Sequence, residues 1–483
     1  MDRASGSSGG HRNYARLGLP AAVLFLSASL AACTVAAMPG LTAGPIPSTA
    51  QQTPTAAATG IDANAASPTW SWPSQTASLT NTAELSASPR STASAGPLPS
   101  VGPNSLASWT AINWVAVPGG SAPPVPADAA MNANFDVYGW SGGYVEFVHR
   151  PNSTTIVPWY SADGLHWQAA NALDPTGMEP QYGPEYAPRV TSLVEGPAGL
   201  VAAAELEPLG VACGPSEYPV QSLWRSADGG ATWARIDLAG AFPQGSVYRI
   251  SGGSGGYIAR GSIDSRTAIW VSADGRSWRH SDLSGSTFTN AAISAAVSFS
   301  GGFVLAGTTL AVGGGCAGLA STPQFIGALW RSADGTAWTR DDLMGATAGD
   351  DWVSMSVRRI SDRALYATES SGSGTGDDST ETDTAWTSAD GENWTVVSGG
   401  PPSIRSQLLS NGQRGMVVTG LDGDVPMPLG VWSFDNNLKP VELSQRGDAP
   451  TKEPWFLGAL GPAGLLVASS DGAQFWLGVP MAQ

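Results

Sequence analysis

Short apolar runs, each opened by a small residue, recur through most of this chain. They read Gly143-Tyr144-Val145, Gly199-Leu200-Val201, Gly256-Tyr257-Ile258, Gly302-Phe303-Val304, Ala364-Leu365-Tyr366, Gly415-Met416-Val417 and Gly464-Leu465-Leu466. A further apolar stretch precedes most of them, for instance Val190 to Val194 and Ile293 to Phe299. β-Branched and aromatic content bounded by Gly, Ser and Asp predicts strands. No helical period accompanies them.

Tryptophan follows each run at a regular interval: Trp159, Trp224, Trp270, Trp330, Trp386, Trp432 and Trp476, spaced 65, 46, 60, 56, 46 and 44 residues apart. A fixed period of this length marks a solenoid, an array or a propeller. The first five are followed by Ser-Ala-Asp-Gly and then a second Trp: Ser161 to Trp167, Ser226 to Trp233, Ser272 to Trp278, Ser332 to Trp338 and Ser388 to Trp394. The unit is therefore four strands. Strand A turns into the small-residue-opened strand B, a variable loop leads to strand C with the first Trp, and the Asp phrase turns into strand D. Radial repetition of such units protects strand edges. The expected fold is all-β: a seven-bladed β-propeller of four-stranded antiparallel blades. The last unit ends at Gln483 without room for a fourth strand, while an orphan, Trp109 to Val115, looks like the end of a repeat. The N-terminal strand is thus expected to close the last blade.

The phrase resembles the Asp-box, or bacterial neuraminidase repeat, Ser-x-Asp-x-Gly-x-x-Trp. Ser226 to Trp233 fits it in full, and the other copies are one residue shorter. The resemblance covers residues 105–483 as a repeat pattern. It implies a structural role for Asp163, Asp228, Asp274, Asp334 and Asp390, whose side chains accept backbone hydrogen bonds in the C–D turn while Gly takes positive φ. Such repeats are best known from sialidases. A sialidase-like site needs three Arg, a Tyr nucleophile with a Glu partner and an acid/base Asp. The family's Arg-Ile-Pro phrase is absent, with Tyr248-Arg249-Ile250-Ser251 the nearest approach, and sialidases of this type have six blades. Arg189, Arg249, Arg358, Arg359 and Arg405 are candidates for the axis. The repeat also builds assembly-factor propellers and blades of certain glycan hydrolases.

The first hundred residues differ in kind. Arg3, Arg12 and Arg16 precede an apolar run, Leu17 to Ala32, too short to span a bilayer and laid out as an export signal. Its end, Leu30-Ala31-Ala32-Cys33, resembles a bacterial lipobox, which implies cleavage after residue 32 and lipidation of Cys33. Residues 33–104 are mostly Ala, Ser, Thr and Pro, a composition expected to remain a flexible linker. The division is then signal peptide 1–32, linker 33–104 and propeller 105–483. The expected address is the outer face of the bacterial cytoplasmic membrane. Loss of residues 1–32 removes three Arg and one Asp, taking the net charge from −16 to −18. No basic stripe suggests nucleic acid, and the acidic balance argues against anionic ligands. Cys213 and Cys316 remain, in long B–C loops of blades two and four, and an exported chain with two such residues suggests a disulfide.

Candidate chemistry is sparse. His149, His166 and His280 are read as lying in separate blades without ligand spacing, and Asp377 to Asp383 reads as a solvated acidic loop. No metal or cofactor is expected. The D–A and B–C loops share the face opposite the Asp turns and carry most of the length variation. Glu179, Tyr182, Glu185, Tyr186, Asp351, Trp352, Glu453 and Trp455 are its candidate ligand-binding residues. These features favour a lipid-anchored monomer that binds a protein or glycan ligand. The rival is a glycoside hydrolase using two carboxylates among Glu179, Glu185, Asp350, Asp351 and Glu453.

Overall fold

The computed structural model describes residues 109–118, 135–149, 155–173, 186–208, 220–311, 324–343, 352–373, 380–399, 406–419, 429–450, 456–469 and 474–482. These form seven antiparallel four-stranded units in a ring, a seven-bladed β-propeller. Blades 1 to 6 span 135–169, 186–236, 245–281, 291–342, 352–396 and 406–442. Blade 7 takes strands A to C from Phe456–Leu460, Leu465–Ser469 and Phe475–Ala482, and its strand D from Trp109–Ala116.

The closing strand is the longest strand D, eight residues against two to four elsewhere. It pairs with Phe475–Ala482 from Trp109↔Ala482 to Ala116↔Trp476. A fifth strand, Ser444–Gly447, then adds in parallel to its outer side, an addition the repeat pattern does not announce. Trp114 Nε1 donates to Gln445 Oε1 at 3.0 Å, and Arg414 lies 4.5 Å over the Trp109 ring. Both ends of the described chain therefore meet on the Asp-turn face.

Each of the seven seams between neighbouring blades holds its own hydrophobic cluster. Strand-C tryptophans Trp224, Trp270 and Trp330 are buried in these seams. The small residue opening strand B has a steric cause. Gly199 and Gly302 have φ of 108° and 112°, and a Cβ there would lie 2.3 Å from the carbonyl oxygens of Ser226 and Ser332. The glycine thus lets strand B abut the start of the Asp turn.

The Asp turns are structural. Asp274 Oδ1 accepts from the amides of Ser277 at 2.7 Å and Arg276 at 2.8 Å, while Ser272 Oγ accepts from Gly275 N at 2.9 Å. Those backbone donors, Ser277 first, hold the Asp274 carboxyl at a pKa of about 2. Asp334 also sits at about 2, chiefly through the Thr336 hydroxyl. The longer copy absorbs its extra residue by placing both Gly229 and Gly230 at positive φ. Blade 6 lacks the phrase but keeps its physics: Asp435 Oδ1 accepts from the amides of Asn437 and Lys439, both at 2.8 Å.

Two readings need correction. His149 and His166 share blade 1 rather than lying in separate blades. Asp383 belongs to strand C of blade 5, Thr380–Ser388, where it accepts a hydrogen bond from Ser370, so the acidic stretch is partly sheet.

Candidate functional site

Strand A of every blade runs from the loop face toward the Asp-turn face along the axis. In blades 2, 3, 4 and 5 this inner strand carries a β-bulge, at Val190/Ser192, Val247/Arg249, Ile293/Ala295 and Arg359/Ser361. Bulges bend a strand and re-aim its side chains. The inner strands of blades 1 to 6 enclose a cavity of about 430 Å³ on the axis.

Its wall is cationic. Arg249, Arg260, Arg358 and Arg359 line it, together with Ser251, Ser294, Ser356, Ser410 and Asn411. Arg249 and Arg260 are directly opposed in the register of blade 3, a like-charge pair that is unfavourable without compensation. Glu205 provides some of it, 3.6 Å from Arg249 Nη1. Arg359 reaches Asp362 Oδ1 at 2.6 Å. Arg358 has no hydrogen-bond or ion-pair partner among the described residues. Its side chain is exposed, and partial desolvation by the cavity wall lowers its pKa. The cavity wall is thus cationic within a chain whose net charge is −16.

At the Asp-turn end the A–B turns interlock over the axis. Ser300 N donates to Asp362 O and Asp362 N to Gly412 O, each at 2.7 Å, and Asn411 Nδ2 donates to Gly461 O at 3.1 Å. Glu195 accepts from Ser141 N at 3.0 Å and from the Ser141 hydroxyl. Asp362 also accepts from Ser254 N at 3.4 Å, across an intervening blade. A second hollow of about 270 Å³ lies over this belt and shares Glu195 and Arg359 with the cavity. The belt narrows this end.

Of the axial arginines legible in the sequence, the structure gathers Arg249, Arg358 and Arg359. Arg189 lies instead in blade 2, with Nε 3.6 Å from Asp136, and Arg405 lies outside the described residues. Arg260 was not anticipated, since strand B is normally screened from the axis by strand A. Glu179, Tyr182, Glu185, Asp350, Asp351, Glu453, Trp455, Cys33, Cys213 and Cys316 lie outside the described residues, as does the side chain of Tyr186. Tyr186 and Trp352 are the first residues of strand A in blades 2 and 5, whose later residues line the cavity. The hydroxyl of Tyr138 donates to Val190 O at 2.7 Å and burial raises its pKa, the reverse of an activated nucleophile.

No family model and no curated protein sequence matches the chain. Solved structures do, and these neighbours are β-propeller proteins. One is described as YCF48 bound to D1 peptide, at 13% identity and a TM-score of 0.37, covering 77% of this chain and 96% of that one. Another is the α-L-arabinofuranosidase Arb93A of Fusarium graminearum with an iminosugar inhibitor, at 10% identity and a TM-score of 0.33, covering 78% and 99%.

Proposed function

We propose that this protein is a lipid-anchored, extracytoplasmic binding module that takes a protein or glycan ligand into the axial cavity from the loop face. The observation that carries this reading is the cavity wall, four arginines and several hydroxyls converging on one enclosed space. Glu179, Tyr182, Glu185, Tyr186, Asp351, Trp352, Glu453 and Trp455 are retained as the ligand-binding residues of this reading, and Tyr186 and Trp352 begin strands whose later residues line the cavity. Loops on a rigid scaffold are where recognition usually sits.

A glycosidase needs two carboxyls about 5–10 Å apart across the scissile bond. Glu195 is the one carboxylate among the described lining residues, and Ser141 already holds both its oxygens. Ser356→Trp fills the cavity and is expected to abolish uptake of blocked alanine tripeptides and galacturonate while the melting temperature stays close to wild type. Unchanged binding in that variant, or turnover of chromogenic glycosides that Glu195→Gln abolishes, contradicts the reading.

Anchoring belongs to the same proposal. Trp109 begins on the Asp-turn face, opposite the loop face. Two acyl chains on Cys33 give stable attachment where one is marginal. Cys33→Ser is expected to shift the protein to the medium or to stall it as precursor. A variant that stays membrane-bound at mature mass excludes lipidation. The Cys213–Cys316 bridge is retained as part of the proposal, tying the long B–C loops of blades 2 and 4.

A further inference from the structure

The four arginines of the cavity are not equivalent. Arg249 faces Glu205, Arg359 faces Asp362 with Glu195 nearby, and Arg260 is engaged as well. Arg358 alone lacks a partner among the described residues. It lines the cavity with its side chain exposed, so its guanidinium is open to an anion that enters the cavity.

We infer that the ligand presents one carboxylate and that the Arg358 guanidinium binds it. This rests on the reading of the cavity as the ligand site. The planar fork of a guanidinium matches a carboxylate through two parallel N–H···O bonds. Charge decides against the alternatives. A neutral group forgoes the charge-assisted bonds that Arg358 offers, and a phosphate dianion carries twice the charge of the one unpartnered guanidinium. The hydroxyls of Ser251, Ser294 and Ser356 line the same space and suit polar groups beside the carboxylate. A volume of about 430 Å³ admits a sugar acid or the last few residues of a peptide.

The test is a calorimetric titration at low salt and neutral pH. The probes are a blocked alanine tripeptide with a free C-terminal carboxylate, the same peptide as its amide, galacturonate, its methyl ester, and inorganic phosphate. Wild type is expected to bind at least one acid about tenfold or more tighter than its neutral counterpart, in line with a charge-assisted hydrogen bond of about 1.5–3 kcal/mol. Which acid wins distinguishes a peptide end from a sugar acid. Arg358→Gln is expected to erase that preference at unchanged melting temperature, and Arg358→Lys to restore part of it. The inference fails if acid and neutral probe bind alike, if Arg358→Gln keeps the preference, if phosphate binds tighter than either acid, or if no probe binds. Equal binding that Ser356→Trp abolishes removes the carboxylate and keeps the cavity; binding that Ser356→Trp leaves intact removes the cavity itself.

Discussion

Deleting residues 105–117 is expected to leave a protein that does not fold cooperatively, whereas deleting residues 40–100 leaves the melting temperature unchanged. The first deletion takes away the strand that completes blade 7, together with Ile112 and Trp114, which are 0% and 2% exposed. Burial of one large apolar side chain stabilises by about 1.5–3 kcal/mol. Two such losses already consume much of a typical stability of about 5–15 kcal/mol. The deletion also bares the edge of Phe475–Ala482 and strips Ser444–Gly447 of its one sheet neighbour among the described residues. Open edges invite aggregation. Thermal unfolding followed by circular dichroism reads both variants, and equal melting temperatures contradict closure by the N-terminal strand.

Glu146→Gln is expected to stabilise the protein at pH 8 and to change little at pH 4.5. Glu146 lies in strand B of blade 1, fully buried, and neither carboxylate oxygen has a hydrogen-bond partner. It pairs in register with Val137, which packs in the cluster between blades 7 and 1. Burial first, and the charge of Asp136 second, push its pKa from 4.5 to about 8. A raised carboxyl pKa means that folding favours the protonated form. The contribution is fully present below pH 4.5, is lost as pH rises toward 8, and by then has cost roughly 4–5 kcal/mol at about 1.4 kcal/mol per pH unit. The neutral amide does not titrate, so the two proteins' stability curves diverge over that window. Chemical denaturation across pH 4.5 to 8.5 reads the divergence; parallel curves contradict the burial of an unpartnered carboxyl.

Much of this architecture is legible in the chain because its local rules repeat. The period of Trp159 through Trp476, the Gly before strand B and the Asp phrase each answer one steric or hydrogen-bonding need of a blade. The orphan Trp109 to Val115 was readable for the same reason, since it looks like the end of a repeat. Ser444–Gly447 was not, because a four-residue exposed outer strand buries no apolar face and leaves no pattern. Asp435 escaped notice because, although Ser433 keeps its place two residues before it, the turn lacks the Gly and the second Trp of the phrase, and Leu438 takes a φ of 59°.

The site was legible only in part, for a different reason. Residue types along strand A suggest which arginines approach the axis, and Arg249, Arg358 and Arg359 do. Whether a guanidinium is paired depends on neighbours far away in sequence, such as Glu205 for Arg249. Arg260 reaches the cavity from strand B through its register with Arg249, a relation that one-dimensional spacing does not contain. Net charge does not report the axis for a related cause: the chain is acidic as a whole, while four arginines line the cavity.

Hydrogen exchange with and without the tightest-binding acid bears most directly on the axial site. Added to wild type, that acid is expected to slow exchange in the inner-strand segments 193–195, 249–252 and 356–359, with no such slowing in Ser356→Trp. Slowing confined to the Asp turns around Asp228 and Asp334, or slowing that persists in Ser356→Trp, contradicts a ligand held on the axis of the ring.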